Sequence, residues 1–239
     1  MELTYKALTT RRRPHFQPLE ATLFVTFRLA NSIPKSTFRY YKAKRVWLRD
    51  QLRRCERMVA EDSSAEKIKW RNEIERLDRE CFIKCEDLMH RQLVGPTWLR
   101  DERIADNVAE NLHRLDGDAY RLDSFSIMSN HVHTVFKPLV DNSVIEAILR
   151  AHECGDDRIP ALAKIMQAIK GKSARECNLM LGRSGQFWEH ESFDHVIRLG
   201  RFDKTVRYVL NNPVKAGLVN RWQEYRWNYC SAELLDRFP

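Results

Sequence analysis

Long hydrophobic stretches are missing from this sequence: nowhere does it hold the ~18 consecutive apolar residues that a membrane-spanning helix needs. Glycine and proline are scarce, at 8 each in 239 residues, which excludes collagen-like and low-complexity chains. The six cysteines include no Cys-x-x-Cys pair, so neither a zinc ribbon nor a disulfide scaffold is expected, and they read as reduced, mostly buried thiols. Acidic residues are in deficit, 33 against 41 Lys and Arg, for a formal charge of +8 and a pI near 9.3. That balance favours a polyanionic partner, nucleic acid ahead of an anionic membrane surface. Arg11, Arg12 and Arg13 lie in an N-terminal stretch with no apolar core of signal-peptide length, so a soluble, cytoplasmic protein is expected.

What is present is enough apolar sequence, 43%, for one sizeable folded domain carrying an insertion. Residues 21–29 are rich in β-branched and aromatic side chains and read as a first strand, closed by a turn at residues 31–34. From Lys35 the period changes. Tyr41, Leu48, Leu52, Cys55 and Val59 fall at helical spacing, and after a break at residues 61–64 so do Trp70, Ile74, Leu77, Cys81, Cys85 and Leu88. This predicts a helical hairpin inserted at residues 35–94. Its first helix carries nine Lys and Arg against two acids over residues 35–57, an excess that makes the hairpin a secondary candidate for meeting phosphates.

A helix is expected at residues 104–115, then strands ending at Met128 and starting at His131. The capping box Ser143-x-x-Glu146 predicts a helix to His152, followed by a loop at residues 154–157. A helix from Pro160 ends at residues 182–185, residues 187–198 read as a strand, and Asp203 opens a helix that Pro213 halts near Asn212.

On the strand after Asn130, His131 and His133 project to one side, while Val132, Thr134 and Phe136 project to the other. The apolar side is expected to pack on helices and the histidine side to stay open. Two neutral imidazoles so placed can share one divalent ion, although a hydrogen-bonded structural pair explains the same spacing. Tyr208 and Asn212, four apart, leave one face of a predicted helix. They read either as a phenol nucleophile with a hard amide-oxygen ligand, or as a half-buried tyrosine and a helix terminus.

The run Ile127-Met128-Ser129-Asn130-His131-Val132-His133 resembles the Met-Pro-Asn-His-Val-His segment of the REP-associated tyrosine transposases, a branch of the single-tyrosine His-hydrophobe-His (HUH) transposases. Three later runs resemble further family signatures in order: residues 165–176 its long helix, and residues 185–198 and 208–219 its two C-terminal motifs. Ser129 departs from the usual proline. The resemblance implies an α+β fold, with an antiparallel four-stranded sheet in βαββαβα order, helices on one face and the Tyr208 helix near the histidines. It further implies a single-stranded DNA endonuclease and strand transferase acting near hairpins. Tyr208 matches the nucleophile, His131 and His133 the metal pair, Asn212 the third ligand, and the implied cofactor is Mg²⁺ or Mn²⁺. A homodimer is compatible with this picture, as is a monomer.

Gly171-Lys172-Ser173 lacks the glycine that a phosphate loop requires five residues earlier, where Met166 stands. Lys170, Lys172 and Arg175 are instead candidates for DNA phosphates. In the C-terminal extension, residues 214–239, Arg221, Trp222 and Arg226 join cations to rings as contacts for unpaired bases. Asp194 and His195 are candidate accessory groups. Two alternatives stay open: a protein that binds hairpin DNA without cutting it, and a basic RNA-binding or ribonuclease-like protein.

Overall fold

The computed structural model describes residues 21–57, 63–92, 94–139 and 161–239, together with two short strands, β1 (Ala7–Leu8) and β2 (His15–Phe16), which pair antiparallel. The arginine arm at residues 11–13, the break at residues 61–62, the expected helix at residues 143–152 and the loop at residues 154–157 lie outside the described residues. Two compact units are present, residues 1–30 with 97–239, and residues 31–96.

The larger unit is α+β and is built on strands β3 (Leu23–Arg28), β4 (Tyr120–Ile127), β5 (His131–Pro138), β6 (Phe193–Val196) and β7 (Asn228–Cys230). They form one antiparallel sheet in the order β6-β3-β5-β4-β7. The sheet has five strands where four were expected, because residues 228–230 pair onto the outer edge of β4. That edge is held by a half-buried phenol: Tyr225 donates to the Ile127 carbonyl at 2.9 Å, and desolvation pushes its pKa up to about 12.

Register divides the sheet into two chemically different faces. Leu23, Val25 and Phe27 lie opposite Phe136, Thr134 and Val132, which in turn lie opposite Leu122, Phe125 and Ile127. This apolar face joins the core with Ile104 and Val108 of α3 (Glu102–His113) and Leu162, Ile165 and Ile169 of α4 (Ala161–Met180). A bulge at Asp123 shifts the register between Leu122 and Ser124, so Leu122 and Phe125 both reach the core although they are three apart. Phe27 has no exposed surface and meets Trp188 edge-on at 4.8 Å. We expect Phe27→Ala to cost roughly 3–5 kcal/mol, read as a fall on the order of 10 °C in Tm.

The bulged Asp123 is itself buried at 2% exposure, and its Oδ2 has no hydrogen-bond partner among the described residues. Desolvation raises its pKa, and Arg121 at 3.3 Å only partly opposes this. The unfolded carboxyl therefore ionises first, so its contribution to stability is lost as pH rises from the ordinary carboxylate range towards the folded pKa. Asp123→Asn is expected to raise Tm at pH 7 and to flatten its fall between acid and neutral pH, measured by thermal melts across that range.

The opposite face carries Phe24, Thr26, His131, His133, Ser124 and Ser126 by the same register. Helix α5 (Phe202–Leu210) packs on it, against β4 and β5, burying Val206, Val209 and Leu210. The strand expected over residues 187–198 is confined to Phe193–Val196, because Trp188 turns inward: its Nε1 donates to Ser173 Oγ at 2.9 Å and its ring is buried. Gly171-Lys172-Ser173 lies inside α4.

The smaller unit is the helical pair α1 (Lys35–Arg57) and α2 (Ser63–Arg91), packed through Leu48, Cys55, Leu77 and Cys81, with Arg45 paired to Asp78. Cys81 and Cys85 are thiols 4.0 Å apart. Gly95, at φ +82°, closes this unit where a Cβ would overlap the Asn31 carbonyl oxygen. No helix among the described residues is long and apolar enough to cross a membrane.

Candidate active site

Adjacent antiparallel strands bring five side chains of the polar face into register. Thr26 lies opposite His133, which lies opposite Ser126, and Arg28 lies opposite His131. The two imidazoles face one another edge-on, ring centroids 4.7 Å apart and Nε2 to Nε2 3.0 Å. Their other nitrogens are engaged: His131 Nδ1 with Asn130 Oδ1 at 2.7 Å, and His133 Nδ1 with Thr26 Oγ1 at 2.8 Å. Both rings are buried, at 1% and 0% exposure, so the histidine side is not open as expected. Helix α5, which lies across that face with Tyr208 against His133, contributes to this burial.

Hydrogen-bond logic fixes one tautomer. Asn130 Oδ1 only accepts, so His131 carries its proton on Nδ1 and turns a lone pair at Nε2 towards His133. Thr26 both donates and accepts, so His133 is free to hold its proton on either nitrogen. With its proton on Nε2, His133 can donate to His131 Nε2 across the 3.0 Å contact. With the proton moved to Nδ1, both Nε2 atoms carry a lone pair. Two nitrogens bound side by side to an octahedral ion at about 2.1 Å lie about 3.0 Å apart, so the spacing of the pair is that of two ligands of one divalent cation.

Tyr208 reaches this pair from α5. Its ring centroid is 5.6 Å from that of His133 and 5.9 Å from that of Phe24, which stacks on His133 at 5.7 Å. Lys215 places its ammonium 4.3 Å from the Tyr208 ring centroid. Asn212 does not share the helix of Tyr208: α5 ends at Leu210, and Asn212 opens a separate turn, α6 (Asn212–Lys215), with Pro213 in its first turn. Its side chain still reaches back, Nδ2 donating to the Tyr208 carbonyl at 2.8 Å, and it is buried. Asn228 of β7 grips the same helix end, donating to the Leu210 carbonyl at 2.8 Å and the Trp222 carbonyl at 2.9 Å.

The remaining candidates occupy several places. Lys170 donates to the His190 carbonyl at 2.9 Å and to Ser192 Oγ at 3.3 Å, and desolvation, then Arg28, pushes its pKa down to about 8. Lys172 is exposed beside Glu176 at 3.7 Å, and Arg175 is exposed. Arg221 is exposed, Trp222 is half-buried, and Arg226 pairs with Glu102 and Asp106 of α3. Asp194 lies opposite Val25 on the apolar side of the register and His195 opposite Phe24 on the histidine side, its ring 5.0 Å from that of Phe24. Thr26, Phe24 and Asn228 had no signal of their own in the sequence, since each acts through a strand partner whose register the sequence does not state.

No family model matches the chain, and no curated protein matches it. Among solved structures, one of a REP-associated tyrosine transposase bound to a REP hairpin is similar over 92% of this chain and 82% of that one, with 13% sequence identity and a TM-score of 0.46.

Proposed function

We propose that this chain is a metal-dependent, single-tyrosine DNA endonuclease and strand transferase that acts on single-stranded DNA at hairpins. The observation that carries the reading is the approach of the Tyr208 ring to within 5.6 Å of His133, in a pair of imidazoles whose Nε2 atoms converge at 3.0 Å. The ordered sequence signatures supply the substrate class.

In this mechanism Tyr208 attacks phosphorus in line. A bond forms from the phenol oxygen to phosphorus, the bond from phosphorus to the 3′ oxygen breaks, and the phenol proton ends on the departing 3′-hydroxyl. The DNA is left as a 5′-phosphotyrosine, and a later 3′-hydroxyl reverses the step, so rejoining needs no nucleotide cofactor. His131 and His133 would hold the divalent cation, and the Asn212 amide oxygen would serve as a third, hard ligand. When bound, the ion withdraws charge from the scissile phosphate. Phe24 keeps one side of His133 dry, and Lys215 stabilises negative charge developing on the phenol.

The test is incubation of end-labelled DNA hairpins with the protein, with Mg²⁺, with Mn²⁺ and with chelator. A downstream fragment linked to the protein through its 5′ phosphate, and an upstream fragment ending in a free 3′-hydroxyl, are expected only with a cation. Cleavage undiminished by chelator removes the imidazole pair from the mechanism, and cutting of RNA but not DNA replaces the reading.

Thr26 and Asn130 act through the histidines. Thr26→Val keeps the shape but removes the partner of His133 Nδ1, and Asn130→Ala releases the His131 tautomer. Each is expected to weaken Mn²⁺ binding by roughly 10- to 100-fold, with Thr26→Ser close to the parent protein. Calorimetric titration with Mn²⁺ reads this directly, and equal affinities for the Val and Ser variants dismiss the role of the hydroxyl.

A further inference from the structure

Two helices of nearly equal character build the smaller unit, yet their charge differs sharply. Helix α2 carries seven Lys and Arg against seven Asp and Glu, and many of them pair along its own surface, as Arg76 does with Glu73 and Arg91 with Asp87. Helix α1 carries nine against two. A helix that only keeps a surface soluble mixes its signs, as α2 does.

The excess on α1 is ordered. At about 100° per residue, Lys35, Arg39, Lys42, Arg53 and Arg57 fall within an arc of about 60°, away from the buried Leu48 and Cys55, and they span about 33 Å of helix. All five are exposed, and none forms an ion pair among the described residues. Asp50, at the margin of the arc, is neutralised by Arg54 at 2.8 Å. The exposed rings of Tyr40 and Trp47 lie outside the arc, so the row itself offers charge without a stacking platform.

We propose that this outward face of α1 docks the duplex stem of a nucleic-acid hairpin through its phosphates. A straight, rigid row of cations about one duplex turn long suits a regular backbone. A flexible single strand is instead held by stacking its bases, which this row lacks. The proposal rests on the reading that the substrate is hairpin DNA, and it adds a surface that grips the stem, a role separate from the chemistry of Tyr208.

The experiment compares the full-length protein with a variant carrying Arg39→Ala, Lys42→Ala and Arg53→Ala together, by fluorescence anisotropy over a salt series. The probes are a DNA hairpin with a stem of about 10 base pairs and a strand with the same loop but no stem. The slope of log K against log salt is expected to become shallower by about 2.7 on the hairpin, about 0.9 for each lost phosphate contact. On the stemless strand it should hardly change. Circular dichroism checks that the helices persist.

An unchanged slope on the hairpin overturns the proposal, as does an equal change on the stemless strand or failure of the parent protein to bind the hairpin at any salt. Vesicles of phosphatidylserine form a further arm, and loss of vesicle binding with the DNA slope intact assigns the row to a lipid surface instead. The covalent adduct at saturating DNA is scored separately. Its absence with a changed slope defeats the cleavage reading alone, and its presence with an unchanged slope defeats the docking surface alone.

Discussion

Tyr208→Phe is expected to bind hairpin DNA as the parent protein does and to form no covalent adduct, a loss of at least about 10³-fold in the rate of cutting. The substitution removes one oxygen and keeps the ring. The contacts of that ring with His133, Phe24 and Lys215 are therefore retained, and so is the bond from Asn212 to the backbone carbonyl at position 208. Thermal stability should stay within about 1 kcal/mol. The measurement is a denaturing gel with 5′- and 3′-labelled hairpins in Mn²⁺. The parent chain should retain the fragment whose 5′ phosphate it has captured, and the variant should retain none. Adduct in the phenylalanine variant passes the role to another nucleophile. Loss of hairpin affinity together with adduct means that the phenol binds rather than reacts.

The parts of this arrangement legible in the sequence were those encoded locally. Alternation over residues 131–136 separates the two histidines from Val132, Thr134 and Phe136, and the register bears out that separation. The helical spacing from Lys35 through Cys55 is a property of consecutive residues and is found as α1.

What was not legible depends on pairing between distant segments. Residues 228–230 are too short to announce a strand, and they become one only because β4 offers an open edge. Trp188 fits a strand pattern, yet its indole is drawn into the core by Phe27 and Ser173, which lie far from it in sequence. Burial of the imidazoles belongs to the same class. Nothing in residues 131–133 states that a helix some 70 residues later packs on their face, and burial set by such distant segments is what closed the face expected to be open. Thr26 shows the limit most clearly, because its hydroxyl is set beside His133 only by antiparallel register with a strand more than 100 residues away.

That dependence on register makes His133 the most exacting position to change. His133→Gln keeps a polar side chain of similar reach but removes the lone pair at Nε2, so the ion keeps one imidazole of the pair. Cation affinity should fall by more than the roughly 10- to 100-fold that a supporting hydrogen-bond partner is worth, and hairpin cleavage should fall with it. The buried face makes a structural cost certain as well, since the ring has no exposed surface and stacks on Phe24. His131→Gln is the companion that separates the two effects. It alters the other half of the Nε2 pair without touching the Thr26 or Phe24 contacts. Mn²⁺ titration followed by electron paramagnetic resonance reads the ion directly, and thermal melts in chelator read the fold. Both variants should lose the ion, whatever their separate losses in Tm. If either binds Mn²⁺ within about twofold of the parent protein while still folded, the two imidazoles are a hydrogen-bonded pair of the core, and the ion that serves the phosphate sits elsewhere.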